Sequence, residues 1–343
     1  MQKKILLVGV LVAAALFVAG SIFALLYYID NKKANFSQDT VLYVYPDTSS
    51  EQVLEHLDSL VCNARSLARC FEKEDVSSKI KPGRYIIKPE FTSIYVARML
   101  NFGWQTPQNM TLSGTIRNKG VLAKKISNQM MVDSASVASF LDSADSLSKY
   151  GFTPDNVFAM FLPDTYQMFW TATVSEIFDR MKKEYDAFWT PERLAKAKEQ
   201  NLSKMQVSIV ASIVSGETLK SFEYPVIAGV YLNRYRKGMK LQADPTVAFC
   251  HGYTLDRILK KHLTIDSPFN TYKYAGLPPA PINVPPKACI DAVLNPDKHG
   301  YIYFCASPEF DGTHRFAVTF SEHKKNAKAF QTALTAKRKA AQN

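Results

Sequence analysis

Glu217 is the residue whose setting points most directly to chemistry. It lies seven residues after Val210, four after Ile213 and three after Val214, and so continues the apolar stripe of Val207, Val210, Ile213 and Val214 at helical spacing. A carboxyl at the end of such a stripe is partly withdrawn from water, which disfavours its charged form and raises its pKa. A carboxyl that stays protonated near neutrality can serve as the general acid of glycoside cleavage. Taken alone, the helix fits an ordinary surface glutamate beyond the core-facing turn at least as well. Later stretches add candidate site loops: Leu241–Thr246, Asn270–Tyr272, Gly276–Ile282 and His314–Phe316, followed by Thr319 and His323. They are dense in Pro, Gly, Asn and aromatic residues, a composition found in simple turns and in loops that carry sites on a rigid scaffold.

The elements that must position these residues are readable from local signals. Ser203 with Gln206 forms a capping box and starts a helix running to about Leu219. Pro225 suits the first turn of a second helix, which runs to about Lys237 before Gly238. Upstream, residues 121–148 and 175–198 show amphipathic helical periods, with Leu162-Pro163-Asp164-Thr165-Tyr166 between them. Further towards the start, Val41–Val44 reads as a strand and Ser50 to about Leu67 as one helix. Tyr85–Ile87 reads as a strand after the Pro82-Gly83 turn, and Thr92–Leu100 as a helix. This is a small α+β unit, preceded by a polar linker over residues 29–39.

Residues Ile5 to Tyr28 carry no charge, and at 1.5 Å rise per residue they exceed the roughly 30 Å hydrocarbon core of a bilayer. A cleaved signal would have a shorter apolar run and small residues after it; Ala19, Gly20 and Ser21 sit inside the run. Residues 5–28 are therefore expected to be an uncleaved transmembrane helix. Residues 1–4 form a short cytoplasmic tail and the rest lies on the extracytoplasmic side of the inner membrane.

The 343 residues include 47% hydrophobic and 21% charged residues, which fits a folded protein, and the net charge is +11. A basic surface is compatible with nucleic acid, anionic lipid or an acidic polymer. No zinc-finger spacing or RNA-binding signature accompanies it, so no nucleic-acid partner is expected. Cys62, Cys70, Cys250, Cys289 and Cys305 form no C-x-x-C pair and no cysteine–histidine spacing typical of zinc. On one continuous helix Cys62 and Cys70 would stand roughly 12 Å apart, too far for a disulfide. The thiols read as mostly buried and inert.

The ordered set of motifs resembles one family. It comprises Ala211-Ser-Ile-Val-x-x-Glu217-Thr218, Val230-Tyr-Leu-Asn-Arg234 and Gly238-Met-x-Leu-Gln-x-Asp-Pro-Thr246. Asn270-Thr-Tyr272, Gly276-Leu-Pro-Pro279, Tyr301 to Phe304, His314-x-Phe316 and His323 follow, with Leu162–Tyr166 upstream. Over about residues 155–330 these resemble the endolytic murein transglycosylases, or YceG-like proteins. The sequence departs from the family pattern at Ser215, where an acidic residue is usual, at Phe158-Ala159 and at Ile116–Gly120. The resemblance implies an α+β chain: the transmembrane helix, a LysM-like module over residues 40–110 and a larger mixed α/β catalytic domain over residues 111–343.

It also implies cleavage of the β-1,4 bond between N-acetylmuramic acid and N-acetylglucosamine, leaving 1,6-anhydro ends, with Glu217 as acid and then base. No metal or organic cofactor is implied. Tyr166, Gln242, Asp244, Thr246, Asn270, Tyr272 and His314 become candidate substrate-binding residues. Gln242, Asn270 and Tyr272 would be hydrogen-bond donors, Tyr166 and Tyr272 stacking surfaces, and Asp244 a loop-fixing or positioning group. The implied partners are peptidoglycan strands, the membrane and peptidoglycan synthases, with a role in ending nascent strands. Two other readings stay open: a lysozyme-type hydrolase using Glu217 with Asp244, and a non-catalytic, membrane-tethered peptidoglycan-binding scaffold.

Overall fold

The computed structural model describes residues 2–340. Helix α1 (Gln2–Asn31) encloses the apolar run and buries none of its side chains in protein. Among the described residues it is the one helix long and apolar enough to cross a membrane. Beyond it the chain is mixed α+β with small sheets, and it divides into two compact units. The first takes residues up to Asn109 together with Gln167–Ala172, and the second takes the rest.

In the first unit, β1 (Thr40–Val44) and β2 (Gly83–Ile87) pair antiparallel, with Thr40 opposite Ile87 and Val44 opposite Gly83. Side chains alternate across a strand, so Leu42, Val44, Tyr85 and Ile87 enter one core. Helices α2 (Ser50–Leu57), α3 (Ala64–Lys73), α4 (Val76–Lys79) and α5 (Ser93–Phe102) supply Val53, Leu57, Leu67, Phe71, Val96 and Leu100 to it. The single helix expected over Ser50–Leu67 is two. Val61 bridges to Phe36, and the Asn63 side chain accepts from Ser66 N, capping a new helix instead of continuing the old one. Cys62 therefore lies between helices, exposed, while Cys70 is buried and all five thiols are free.

Residues 29–39 are not a free linker. Asn35 is buried and donates to Asn63 O at 3.0 Å and Ser93 Oγ at 2.9 Å, and Phe36 is buried in the unit's core. On the outer face of the strand pair, Tyr43 and Tyr45 meet the Trp170 ring edge-on, with centroids 4.9 and 4.8 Å away. That contact explains why Gln167–Ala172, distant in sequence, belongs to this unit.

In the second unit, β3 (Gln108–Leu112) pairs with β4 (Asp164–Met168), and the chain changes unit within each strand. Between them run α6 (Lys119–Ser127), α7 (Ser134–Asp142) and α8 (Ala144–Ser148). Then come α9 (Val174–Phe188) and α10 (Pro191–Glu199). The two long amphipathic stretches thus break where Asp133, Ser143 and Thr190 cap fresh helices.

Helix α11 (Lys204–Glu217) starts at the expected Ser203–Gln206 capping box. Every residue from Val207 to Val214 is buried, so α11 is a central helix and not one with a single core face. Its neighbours are α12 (Tyr224–Arg236), α13 (Asp244–Cys250) and α14 (Lys287–Leu294). The hairpin β5 (Tyr303–Ala306)–β6 (His314–Ala317) and α15 (Phe320–Ala340) complete the unit.

Two glycines permit the close packing. A Cβ on Gly216 would lie 2.6 Å from Pro245 Cβ, so α11 and the start of α13 touch there. A Cβ on Gly229 would lie 2.6 Å from His299 Nε2 and 2.9 Å from Asp297 O. Gly229→Ala is expected to destabilise the protein by about 1–3 kcal/mol through overpacking against backbone, read as a lowered thermal midpoint.

Candidate active site

Glu217 is the last residue of α11, and Thr218 beyond it is already extended. The carboxyl sits in the floor of a cleft of about 450 Å³, which Gln242, Asp244, Tyr272 and His314 also line. Burial pushes the Glu217 pKa up to about 7; the nearby Asp244 charge adds to the rise, and a hydrogen bond from Tyr231 opposes it. The Tyr231 hydroxyl donates to Glu217 Oε1 at 2.5 Å. Tyr231 is itself fully buried on α12, and its pKa is driven well above the usual phenol value by burial and by the adjacent carboxyl.

Three further groups shape the walls. Arg234, one turn after Tyr231 on α12, donates through Nη2 to Gln242 Oε1 at 2.5 Å and through Nε to Lys240 O at 3.1 Å. Gln242 holds φ +52°, a left-handed conformation uncommon for a non-glycine residue, and its N–H donates to Thr271 O. Asp244 opens α13 and accepts from the Tyr272 hydroxyl at 2.6 Å. Asp244 thus stands at the first turn of a short helix, with Pro245 beside it, and ties the loop of Tyr272 to that helix.

His314, which also lines the cleft, has Nδ1 2.9 Å from Glu223 Oε2, and its backbone N–H donates to Glu223 Oε1 at 2.7 Å. Glu223 is buried and also accepts from Thr218 Oγ1 at 3.1 Å, tying β6 to the residue after Glu217. His323 stacks on Tyr303 with centroids 5.3 Å apart, and burial together with the Arg234 charge lowers its pKa.

Of the predicted site residues, the structure brings Glu217, Gln242, Asp244, Tyr272 and His314 together on one cleft. Tyr166, Thr246 and Asn270 do not line it. Tyr166 is buried and its hydroxyl donates to Leu162 O. Thr246 donates to Ala243 O at 2.7 Å and lies 2.9 Å from Thr271 Oγ1, bracing the loop that carries Gln242. Asn270 spends its amide on Leu263 O and Ile265 O and accepts from Tyr272 N, which fixes the loop presenting Tyr272. Their polar groups are bonded within the fold.

Tyr231, Arg234 and Glu223 were not among the expected site residues. The i, i+3 spacing of Tyr231 and Arg234 was the available signal, since it sets both on one helix face; Glu223 had none. Among the described residues no group of three His, Cys, Asp or Glu side chains gathers in a way that could hold a metal ion.

Residues 42–329 match the YceG-like family, and the chain belongs to it. The chain is 41% identical over 128 residues to the endolytic murein transglycosylase of Bacillus subtilis strain 168, covering 37% of the chain and 35% of that protein. It is 29% identical over 169 residues to the endolytic murein transglycosylase of Streptococcus pneumoniae D39, covering 48% of the chain and 30% of that protein. The chain thus spans about a third of the length of the curated relatives it matches. A crystal structure of a yceG-like protein from Listeria monocytogenes shares the fold at TM-score 0.56 and 24% identity. That likeness covers 84% of this chain and 98% of the other.

Proposed function

We propose that the chain is a membrane-anchored endolytic lytic transglycosylase of peptidoglycan. The observation that carries the reading is the Glu217 carboxyl, held protonated up to about pH 7 at the floor of a cleft and bonded to a buried tyrosine. Family membership and the names of the relatives support the substrate class.

Protonated Glu217 donates to the oxygen of the β-1,4 bond between N-acetylmuramic acid and N-acetylglucosamine as the bond from that oxygen to C1 breaks. The carboxylate left behind is stabilised by the Tyr231 hydroxyl. It then takes the proton from the sugar's own 6-hydroxyl while that oxygen attacks C1 and closes the 1,6-anhydro ring. Glu217 ends protonated and no water is consumed. The attack is intramolecular and gains from high effective concentration. Arg234 holds the Gln242 carbonyl oxygen, so the amide N–H groups are the part of that side chain offered as donors to an N-acetyl carbonyl. Tyr272 and His314 line the sugar path, the latter set by Glu223.

In this reading residues 40–110 are a LysM-like module, residues 111–343 the catalytic domain, and both face the extracytoplasmic side. Cleavage there would end nascent strands close to the synthases. Asp244 on the same cleft favours one alternative, hydrolysis with a second carboxyl. Digesting isolated peptidoglycan with the full-length protein in detergent separates them by product mass. Anhydro ends support the lyase, free reducing ends the hydrolase, and binding without fragments a scaffold.

The pH profile supplies a second test. A general acid must be protonated, so kcat/KM is expected to fall as pH rises past about 7. Tyr231→Phe removes the bond that favours the charged carboxylate, so that limb should move to higher pH, by up to about one pH unit.

A further inference from the structure

Helix α1 is fastened to the rest of the first unit at Asp30, the residue directly after its last apolar position, Ile29. Asp30 pairs with Arg69 at 2.6 Å and accepts from Ser66 Oγ at 2.6 Å. Five residues on, Asn35 is buried, and its N–H donates to Phe91 O at 2.9 Å. If α1 crosses a membrane, the surface of the unit around Phe91 stands at the lipid headgroups.

An aromatic ladder starts at that point. Phe91 and Tyr95 have ring centroids 4.4 Å apart, Tyr95 and Trp104 5.6 Å, and Phe102 stacks on Trp104 at 5.6 Å. Trp104 therefore lies within about 10 Å of the Phe91 ring, comparable to the depth of one headgroup layer. Tyr95, Phe102 and Trp104 are 41%, 62% and 46% exposed, so the rings that touch one another form a contiguous exposed patch. Exposed Lys32 and Lys33 flank the same end and match anionic phosphates.

Resting on the reading of α1 as an anchor, we infer that Phe91, Tyr95, Phe102 and Trp104 form a lipid-surface docking face. Aromatic rings with an apolar body and a polar edge favour the membrane–water interface. The face seats the first unit on the bilayer beside its own anchor.

The tryptophans make this testable. The chain has three. Trp170 and Trp189 are only 5% exposed, so Trp104 is the accessible one. The full-length protein is reconstituted into phosphatidylcholine–phosphatidylglycerol vesicles carrying bromine near the glycerol end of the acyl chains. Flotation of the vesicles reads the anchor, and tryptophan emission reads the docking. Docking predicts emission from Trp104 reduced about twofold relative to unbrominated vesicles. This quenching should be absent from Trp104→Phe and lost in Tyr95→Asp/Phe102→Asp, whose circular dichroism stays native. Protein that floats with no lipid quenching, or whose quenching is relieved by soluble glycan fragments, overturns docking and leaves the anchor standing. Quenching that persists in Trp104→Phe also overturns it. Failure to float overturns the anchor itself, and docking with it.

Discussion

Replacing Glu217 with glutamine is expected to lower peptidoglycan cleavage by about a thousandfold or more while leaving glycan binding close to wild type. The substitution is nearly isosteric, and the Tyr231 hydroxyl that donates to Glu217 Oε1 can donate equally to an amide oxygen. What is lost is a transferable proton, and the proposed mechanism uses it twice. Loss of turnover with retained binding, measured on the same preparation, separates this chemical role from damage to the cleft. A variant with a tenth or more of wild-type activity would assign the proton transfers to another group, and Asp244 would be the next residue to change.

The same substitution is expected to stabilise the protein at high pH. The folded-state pKa of Glu217 is raised from 4.5 to about 7, so the folded chain keeps a proton that the unfolded chain loses. Below pH 4.5 both states hold the proton and the site costs nothing. As pH rises from 4.5 to 7 the contribution to stability falls, and above 7 the full cost of a buried carboxylate, on the order of 3 kcal/mol, is present. Glutamine has no such cost. Glu217→Gln should therefore melt several degrees above wild type at pH 8 and together with it at pH 4. Equal melting points at both pH values would mean that the carboxyl is not desolvated. An active site that is less stable than its inert variant is the expected consequence of holding a charge-capable group out of water.

The residues that were legible in the sequence are those whose signals are local. The Ser203–Gln206 box starts α11 as expected, because the cap forms within one turn. The apolar run of α1 needs only composition. Helix ends inside amphipathic stretches were missed at Asn63, Asp133 and Thr190, since the same side chains are tolerated inside a helix and decisive at its start.

In the site, Glu217, Gln242, Asp244, Tyr272 and His314 were legible as members of motifs, and they meet on one cleft. Tyr231 and Arg234 stand in the Val230–Arg234 motif, but their site roles, like that of Glu223, depend on partners 14, 8 and 91 residues away. Thr246 and Asn270, candidates from their motifs, close their hydrogen bonds on the loops that hold Gln242 and Tyr272. A motif marks that a polar group is required; whether it faces the cleft or the backbone is a tertiary fact. Trp170 makes the same point for the fold, joining a unit centred some 120 residues before it through two tyrosine contacts.

The central claim is that one carboxyl performs both proton transfers and the sugar's own hydroxyl, not water, closes the reaction. Digesting isolated peptidoglycan with the full-length protein in heavy-oxygen water tests it most directly, with Glu217→Gln run beside wild type. The account predicts that wild type releases fragments carrying no heavy oxygen at the newly formed end and that the variant releases almost none. Heavy oxygen in the wild-type products would mean that water attacks C1, and would contradict it.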